Sequence, residues 1–419
     1  MSLSYFDSNL CIGKRGLKHP NSLWRTEDLL AVMDQCGISA ALASSGWAKD
    51  YAPQYGNERL MEELAKSPRL YGCYTVMPGY LGDFPSPSEM LADFRKKKMA
   101  AAKMYPATHE FTPDERTMGE YYRALEQENI PLLVDSTEIQ LREAPQKLEA
   151  ILSNHPGLNV ILLGVYWDLL RMVYPIFRDY ANLYLDLSVT QTNYGIEVLH
   201  ERLGADRLLF GSGLPNMSAG AARSFIDYAD IPDADKQKIA GGNLSRLCGL
   251  PLPAAVKPDN DSIAQEAAEG KPLSVFVFDS HTHILGDDGG CGGGRPMPKG
   301  DLPHMAKLFS AMGVDRYCVA PWLGIWTDSE AGNDSAYEMA QRDSKVCPYV
   351  LIDSNYVSDV VVEARKCHLE RRMPGVKMLY ARTGIPYNDP VFDPWWKIAE
   401  ENHLFALMDY GVHPNFLET

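Results

Sequence analysis

The sequence predicts an α/β protein in which a complete (β/α)8 TIM barrel is followed by a second, incomplete barrel-like (β/α) domain. Short apolar segments alternate with amphipathic helical segments eight times between residues 1 and 250, and this alternation is typical of a closed (β/α)8 barrel. After a proline-rich segment the same pattern starts again and runs through a fifth strand. An open doubly wound sheet is the alternative for residues 1–250, but no Gly-x-Gly-x-x-Gly motif follows the first strand.

The eight strands of the first domain are predicted at short runs that are apolar enough to be buried on both faces of a sheet. They are, in chain order, Ser4–Phe6, Ser39–Ala43, Tyr71–Met77, Ala100–Tyr105, Pro131–Val134, Asn159–Val165, Leu183–Leu187 and Arg207–Phe210. Helices are predicted between them, among them Thr26–Cys36, with Thr26 as N-cap and Gly37 as the C-terminal stop, and Asn57–Ser67.

The composition changes between residues 251 and 274, where Pro251, Pro253 and Pro258 stand among Ala, Asp and Glu residues. This segment is predicted to be a linker with one short helix over Ser262–Glu269. The first domain then covers residues 1–250, and the second covers residues 275–419.

The second domain repeats the beginning of the first. Phe6-Asp7-Ser8 corresponds to Phe278-Asp279-Ser280, Gly56-Asn57 to Gly332-Asn333, and Ala102-Lys103-Met104 to Val376-Lys377-Met378. Measured against the first domain, Thr419 falls just after the fifth strand, so the second barrel is predicted to be incomplete with an open edge strand. We expect this edge to pair with the first domain or with a second copy in a homo-oligomer, or the chain to be a truncated form of a longer protein that continues the barrel.

Two histidines follow the strand that opens the second domain. The run from Val275 to His283 is predicted as a buried strand, and since strand residues alternate between faces, His281 and His283 share one face with Asp279. Neutral imidazole nitrogens are good ligands for zinc and similar divalent ions. A His-x-His pair also arises by chance in a chain with ten histidines, but its position after a Val/Phe-rich strand favours a divalent metal site, with zinc as the expected ion.

Charge and composition narrow the range of partners. A formal net charge of −15 argues against nucleic acid or an anionic membrane surface as a partner. No 18-residue apolar run is present, and the first residues lack the charged start and apolar core of a signal peptide, so a cytoplasmic protein is expected. The eight cysteines show no Cys-x-x-Cys spacing, which indicates reduced thiols and no disulfide framework.

Four motifs carry a family resemblance: Phe278–His283 at strand one of the second domain, and Lys103–Pro106, Leu208–Ser212 and Gly242–Leu247 in the first. Together they resemble the amidohydrolase-related family of the metal-dependent amidohydrolase superfamily, as a tandem of one full, degenerate copy and one partial copy. The resemblance implies (β/α)8 barrels that hold one or two divalent ions, usually zinc, at the C-terminal mouth. It also implies hydrolysis of amide or ester bonds, or decarboxylation of aromatic and related acids.

The chain departs from the family pattern at the distal ligands. That pattern has a His at strand five, commonly a His at strand six, and an Asp after the Gly-Ser of strand eight. Here strand five carries Asp135 in the first copy and Asp409 in the second, strand six carries Gly164, Gly213 follows Gly211-Ser212, and Asn9 and Cys11 replace the two histidines in the first copy. The first copy is therefore expected to be a barrel that has lost its metal ligands.

The candidate site of the second copy consists of His281 and His283 as metal ligands, Asp409 as a general base and Lys377 as a binding residue for a substrate carboxylate. A solvated or helix-capping role for Asp409, and an ordinary ion pair for Lys377, are equally consistent with the sequence. Three functions remain: a metal-dependent hydrolase of a small-molecule amide, ester or lactone, a metal-dependent decarboxylase, and a non-catalytic barrel pair with a binding or regulatory role. The two histidines favour the first two, and the hydrolase is the leading hypothesis.

Overall fold

The computed structural model describes residues 3–16, 22–259, 261–286 and 290–408. Contacts divide the chain into two compact units, Met1–Lys271 and Pro272–Thr419, which we call unit 1 and unit 2. No described helix is long and apolar enough to cross a membrane.

Unit 1 contains an eight-stranded parallel sheet whose strands follow one another in chain order. The strands are β1 (Phe6–Ile12), β2 (Ala40–Ser45), β3 (Leu70–Val76), β4 (Ala101–Met104), β5 (Leu132–Asp135), β6 (Val160–Leu163), β7 (Leu183–Asp186) and β8 (Leu208–Leu209). The first strand also meets the chain that follows the last, since the Ser8 amide donates to the Phe210 carbonyl at 3.0 Å and the Cys11 amide to the Leu214 carbonyl at 2.9 Å. The predicted (β/α)8 barrel is therefore confirmed.

Strand alternation separates two apolar cores in unit 1. Side chains such as Phe6, Ala101, Leu133 and Tyr184 fill the lumen of the barrel, closed from below by Leu247 and its neighbours. The alternate positions of the same strands pack outward against the helices in a larger core. A polar residue on a lumen position therefore stands directly above apolar side chains, toward the mouth at the C-terminal strand ends.

The helices of unit 1 surround the outside of the barrel and, at Asn243–Leu247, close its lower end. They are α1 (Thr26–Cys36), α2 (Gly46–Asp50), α3 (Pro53–Leu64), α4 (Pro87–Lys96), α5 (Glu115–Gln127), α6 (Gln146–Asn154), α7 (Leu170–Asp179), α8 (Gly195–Leu203), α9 (Ala219–Asp227), α10 (Asp233–Gln237), α11 (Asn243–Leu247) and α12 (Ser262–Ala268), with a 3-10 turn at Trp167–Leu169 and a π-helical turn at Lys238–Gly242. The helix predicted at residue 57 already begins at Pro53, because proline suits the first turn.

Two predicted details of unit 1 are wrong. The N-cap of α1 is Arg25, because the Thr26 hydroxyl instead donates to the Glu63 carboxylate at 2.6 Å; the predicted stop at Gly37 is confirmed by its φ of 65°. Strand β1 starts at Phe6 and not at Ser4, and it continues through the polar residues Asp7 and Ser8. The Ser8 hydroxyl donates to Asp186 of β7, and Asp7 accepts the hydroxyl of Ser212, which follows β8.

The proline-rich segment lies against unit 1. Helix α12 packs on α1 and α9. The Asp261 carboxylate caps α12 by accepting the Ile263 amide at 2.9 Å, and the Asp259 amide donates to the Asp34 carbonyl at 3.0 Å. Contacts thus assign residues up to Lys271 to unit 1.

Unit 2 contains five parallel strands in the order β15-β14-β13-β12-β9 and a short antiparallel pair, β10 with β11. The strands are β9 (Phe278–Thr282), β10 (Cys291–Gly292), β11 (Arg295–Pro296), β12 (Arg316–Val319), β13 (Val346–Val350), β14 (Gly375–Met378) and β15 (Phe405–Met408). The helices are α13 (Leu302–Met312), α14 (Trp322–Trp326), α15 (Ser329–Arg342), α16 (Val360–Ala364), α17 (Tyr380–Thr383) and α18 (Asp393–Glu401), with a π-helical turn at Arg365–Glu370 and a 3-10 turn at Pro390–Phe392. The predicted incomplete second barrel is confirmed over the described residues.

The strand that carries the two histidines is shorter and more exposed than predicted. It starts at Phe278 and not at Val275, and the side chains of Phe276 and Phe278 are 71% and 46% exposed. Within the described part of unit 2, β9 is an edge strand with β12 as its neighbour, so its backbone pairs with a strand along one edge only.

Candidate functional site

His281 and His283 lie close together at the C-terminal end of β9. Their ring centroids are 4.9 Å apart in an edge-to-face arrangement. The pairing of β9 with β12 shifts register, from Asp279 opposite Tyr317 to Thr282 opposite Val319, so one extra residue of β9 is accommodated beside the histidines. The Asp279 carboxylate accepts the His281 amide at 2.9 Å and fixes the backbone at this point.

The ring of His283 is oriented by its surroundings. Its Nδ1 lies 3.1 Å from the Ala320 carbonyl oxygen, which can only accept, so Nδ1 carries the proton and Nε2 keeps its lone pair. The ring also packs edge-on against Trp322, with centroids 4.7 Å apart. Burial lowers the pKa of His283 to about 4, and the nearby charges of His281 and Lys377 act in the same direction. The imidazole is therefore neutral at pH 7, as a metal ligand must be.

His281 and His283 fit a divalent metal in kind, because two imidazole rings lie next to each other, with centroids 4.9 Å apart. In number they form only part of a site: no group of three or more His, Cys, Asp or Glu residues able to hold a metal occurs within the described ranges. Asp409, the predicted general base, directly follows β15 and lies outside the described residues. Its role stays a prediction.

Lys377 stands near the end of β14 with only 4% of its surface exposed. It lines a cavity of about 400 Å³ at the C-terminal ends of the strands of unit 2, together with Arg382, Trp326, Asp353 and Tyr356. The Arg382 guanidinium lies over the Trp326 ring, 3.6 Å from its centroid. Two cationic side chains and an aromatic ring thus face one cavity, which suits a ligand that carries a carboxylate.

Arg382 and Trp326 were not predicted from the sequence as residues of the site. Both lie in segments that follow strands, Trp326 at the end of α14 and Arg382 in α17, and neither belongs to a repeated motif. Only their position after a strand end could have marked them, because binding residues of a barrel come from such segments.

At the mouth of unit 1, an amide and a thiol, those of Asn9 and Cys11, occupy the positions that the predicted repeat aligns with His281 and His283. The Asn9 side-chain amide donates to the Ser188 hydroxyl at 3.3 Å, and Cys11 is partly buried. Gly164, with φ of 67°, leaves room for the Asp135 carboxylate, whose Oδ2 lies 2.6 Å from where a Cβ of residue 164 would be.

Two enclosed carboxyl groups accompany these residues. Asp7 accepts the Ser212 amide at 2.8 Å and also the Ser212 hydroxyl, while Asp186 accepts the Ser8 hydroxyl at 2.7 Å. Burial raises the pKa of Asp7 to about 6 and also raises the pKa of Asp186, although the serine donors oppose both shifts. The mouth of unit 1 is therefore held by hydrogen bonds among its own residues.

Comparison with known proteins identifies the family. Three solved structures match at low identity: a 5-carboxyvanillate decarboxylase from Sphingomonas paucimobilis (15% identity, TM-score 0.49, 60% of this chain and 100% of that one), a probable 2-pyrone-4,6-dicarboxylic acid hydrolase from Acinetobacter baumannii with citric acid bound (13%, 0.44, 59% and 100%), and a 5-carboxyvanillate decarboxylase from Novosphingobium aromaticivorans with bound manganese (16%, 0.46, 59% and 97%). These are likenesses of fold. No protein of curated function matches the chain significantly.

The amidohydrolase family model matches residues 31–250, which are 220 of the 419 residues of the chain. The match covers most of unit 1, from α1 through all the later strands of the barrel. The protein therefore belongs to the amidohydrolase family of enzymes.

Proposed function

We propose that unit 2 carries a divalent metal centre that hydrolyses an amide, ester or lactone bond in a small molecule bearing a carboxylate. The amidohydrolase family is generally metal-dependent. The observation that carries the proposal is the proximity of the His281 and His283 rings. The Nε2 atom of His283 keeps its lone pair, and its ring is neutral at pH 7.

The metal would be held by the imidazoles of His281 and His283, and zinc is the expected ion. When bound, such an ion lowers the pKa of a coordinated water toward neutrality and polarises a substrate carbonyl. The Ala320 carbonyl keeps the His283 ring in one tautomer and one orientation, and the edge contact with Trp322 restricts its rotation.

The substrate would be positioned by the cavity residues. Lys377 and Arg382 can donate charge-assisted hydrogen bonds to a carboxylate, while Trp326 holds the guanidinium plane of Arg382 by stacking. Asp409 is proposed as the group that accepts a proton from the attacking water, because it comes next in the sequence after β15, and the parallel strands β9 and β15 end on the same side of the sheet.

A decarboxylase is the second candidate, and the same two cations favour it. A decarboxylation requires a carboxylate substrate, and Lys377 with Arg382 supplies two positive groups in one cavity. Release of carbon dioxide separates this candidate from hydrolysis.

The test is turnover by the full chain after chelation and reloading with Zn²⁺ or Mn²⁺. Esters, lactones and amides that carry a carboxylate are assayed for hydrolysis, and the corresponding acids for release of carbon dioxide. We expect metal-dependent turnover that falls by about a hundredfold or more in His281→Ala/His283→Ala, since loss of groups that support a metal site already costs 10–100-fold.

The matched control is His304→Ala, which removes another histidine of unit 2 whose Nδ1 lies 2.8 Å from Asp301. This variant should keep the activity of the unmodified chain. Turnover that survives without metal, or that is equally lost in both variants, would contradict the proposal.

A further inference from the structure

Lys103 places a buried ammonium group in the barrel of unit 1. It is the third residue of β4 and is 7% exposed. Ala102 and Met104 belong to the outer core while Ala101 belongs to the lumen, so alternation turns Lys103 into the lumen, above the apolar layer. Its ammonium nitrogen lies 5.3 Å from the centroid of the Tyr105 ring. Within the described ranges, no carboxylate forms an ion pair with it.

A second buried lysine of unit 1 shows the usual arrangement. Lys97 is 6% exposed, and its ammonium lies 2.6 Å from a Glu58 oxygen and also contacts the Asp93 carboxylate. Buried charges in proteins are normally paired in this way, because an unpaired ion loses its hydration without compensation. Lys103 departs from that rule.

Two carboxylates on other lumen positions, Asp135 and Asp186, are hydrogen-bonded to other groups, and the charge of Lys103 acts on Asp186 without a direct ion pair. Asp135 accepts the amide and the hydroxyl of Thr137 at 3.0 and 2.7 Å, and its Oδ2 fills the space left by Gly164. Asp186 is held by the hydroxyls of Ser8 and Ser188, and its Oδ2 lies 1.7 Å from where a Cβ of Gly211 would be. The glycines after β6 and β8 thus let both carboxylates occupy positions beside neighbouring strands.

We propose that the mouth of unit 1 binds a small organic carboxylate through the Lys103 ammonium, without a metal. A carboxylate oxygen supplies the acceptor that the protein itself does not provide, and hydrogen bonds between ionised groups are the strongest available at such a site. Asp7 and Asp186 already accept hydrogen bonds from serine and backbone donors, and neither makes a direct ion pair with Lys103. This site is separate from the histidines of unit 2.

The test uses the full chain carrying Lys377→Met, so that carboxylate binding by Lys377 of unit 2 does not contribute. The protein is first treated with a chelator to remove metal ions. The midpoint of thermal unfolding is measured as acetate or succinate is added up to about 100 mM, with chloride at equal ionic strength as the reference. A ligand that binds only the folded state raises this unfolding midpoint. We expect both carboxylates to raise the midpoint. Adding Lys103→Met should weaken binding by about tenfold or more.

The control is Lys97→Met in the same parent. It should lower the midpoint, because it strands Asp93 and Glu58, and it should leave the response to carboxylates intact. In the absence of ligand, Lys103→Met should lower the midpoint less than Lys97→Met does, since Lys103 has no direct ion pair to lose. A parent that does not respond to either carboxylate, or a Lys103→Met variant that responds as the parent does, would overturn the proposal.

A measurement on the parent alone covers the case in which Lys103→Met fails to fold. Reductive methylation of lysines is mapped by mass spectrometry with and without succinate. Succinate should slow the modification of Lys103 and leave that of Lys97 unchanged; equal rates at Lys103 in both conditions would again overturn the proposal.

Discussion

Asp7 and Asp186 are carboxyl groups enclosed in unit 1, and their behaviour depends on two opposed effects. Burial disfavours the charged form, whereas donors such as the Ser212 amide favour it. For Asp7 burial dominates and the pKa rises to about 6, with the charge of Asp186 adding to the rise. The folded state therefore binds a proton at Asp7 more tightly than the unfolded chain does.

This shift makes the stability of the protein depend on pH. The contribution of Asp7 is fully present below the unfolded pKa of 3.8 and is lost as the pH rises through about 6. As the pH rises between these values, the free energy of unfolding of Asp7→Asn should therefore increase relative to that of the unmodified chain. The increase is at most about 3 kcal/mol for a pKa shift of this size. Urea unfolding of both proteins across this range measures the difference, and a difference that does not change with pH would contradict the assignment.

The sequence predicted which side chains occupy the strand ends but not their orientations. The expected closeness of His281 and His283 is found, although a register shift interrupts the strand alternation beside them. The bond from His283 to Ala320, the stacking of Arg382 on Trp326 and the turn of Asp135 toward Gly164 depend on groups distant in sequence. No local pattern in the chain encodes such contacts.

A Gly-Asn pair serves the same structural purpose in both units. The Asn57 side chain of α3 donates to the Thr75 carbonyl and accepts the Thr75 amide, at 3.0 and 2.8 Å. Asn333 of α15 makes the same two bonds to Leu351, at 2.8 and 2.9 Å. The preceding glycines allow the helix before to approach closely, since a Cβ at residue 56 would lie 2.1 Å from the Ala48 nitrogen.

Removing either amide should destabilise the protein strongly. Asn57→Ala or Asn333→Ala leaves one buried N–H and one buried C=O of the neighbouring strand unpaired, which costs about 3 kcal/mol in the free energy of unfolding. The control is Asn355→Ala, an exposed position that should change stability by about 0.5 kcal/mol or less. Urea unfolding that gives the same midpoint for Asn57→Ala and Asn355→Ala would refute this role.

At the element scale, the sequence predicted all eight strands of unit 1, and most of their bounds differ from the structure by one or two residues. The largest errors fall on β1 and β9, which carry polar residues toward the mouth of each unit. An apolar pattern ends where such residues begin, although cross-strand bonds keep the backbone extended. Strand bounds are thus predicted least accurately at the strand ends that carry these polar residues.

The whole molecule combines a closed eight-stranded barrel with a unit that has five parallel strands in its described part. The sequence predicted this division from the restart of the strand–helix pattern near Phe278, and in the main sheet of each unit the parallel strands follow one another in chain order. The tandem repeat itself stays a prediction. Pairing of the open edge of unit 2 with another chain, and truncation of the chain, both stay predictions. The metal site likewise follows from ligand chemistry and awaits a direct measurement.

We propose that any divalent metal in this protein is bound by the histidines of unit 2 and not by unit 1. The test is the metal content of the full chain, equilibrated with Zn²⁺ and desalted, beside that of His281→Ala/His283→Ala and of Cys11→Ala. We expect the unmodified chain and Cys11→Ala to retain metal and the double histidine variant to lose it. Full retention of metal by the double histidine variant would show that these histidines do not bind it.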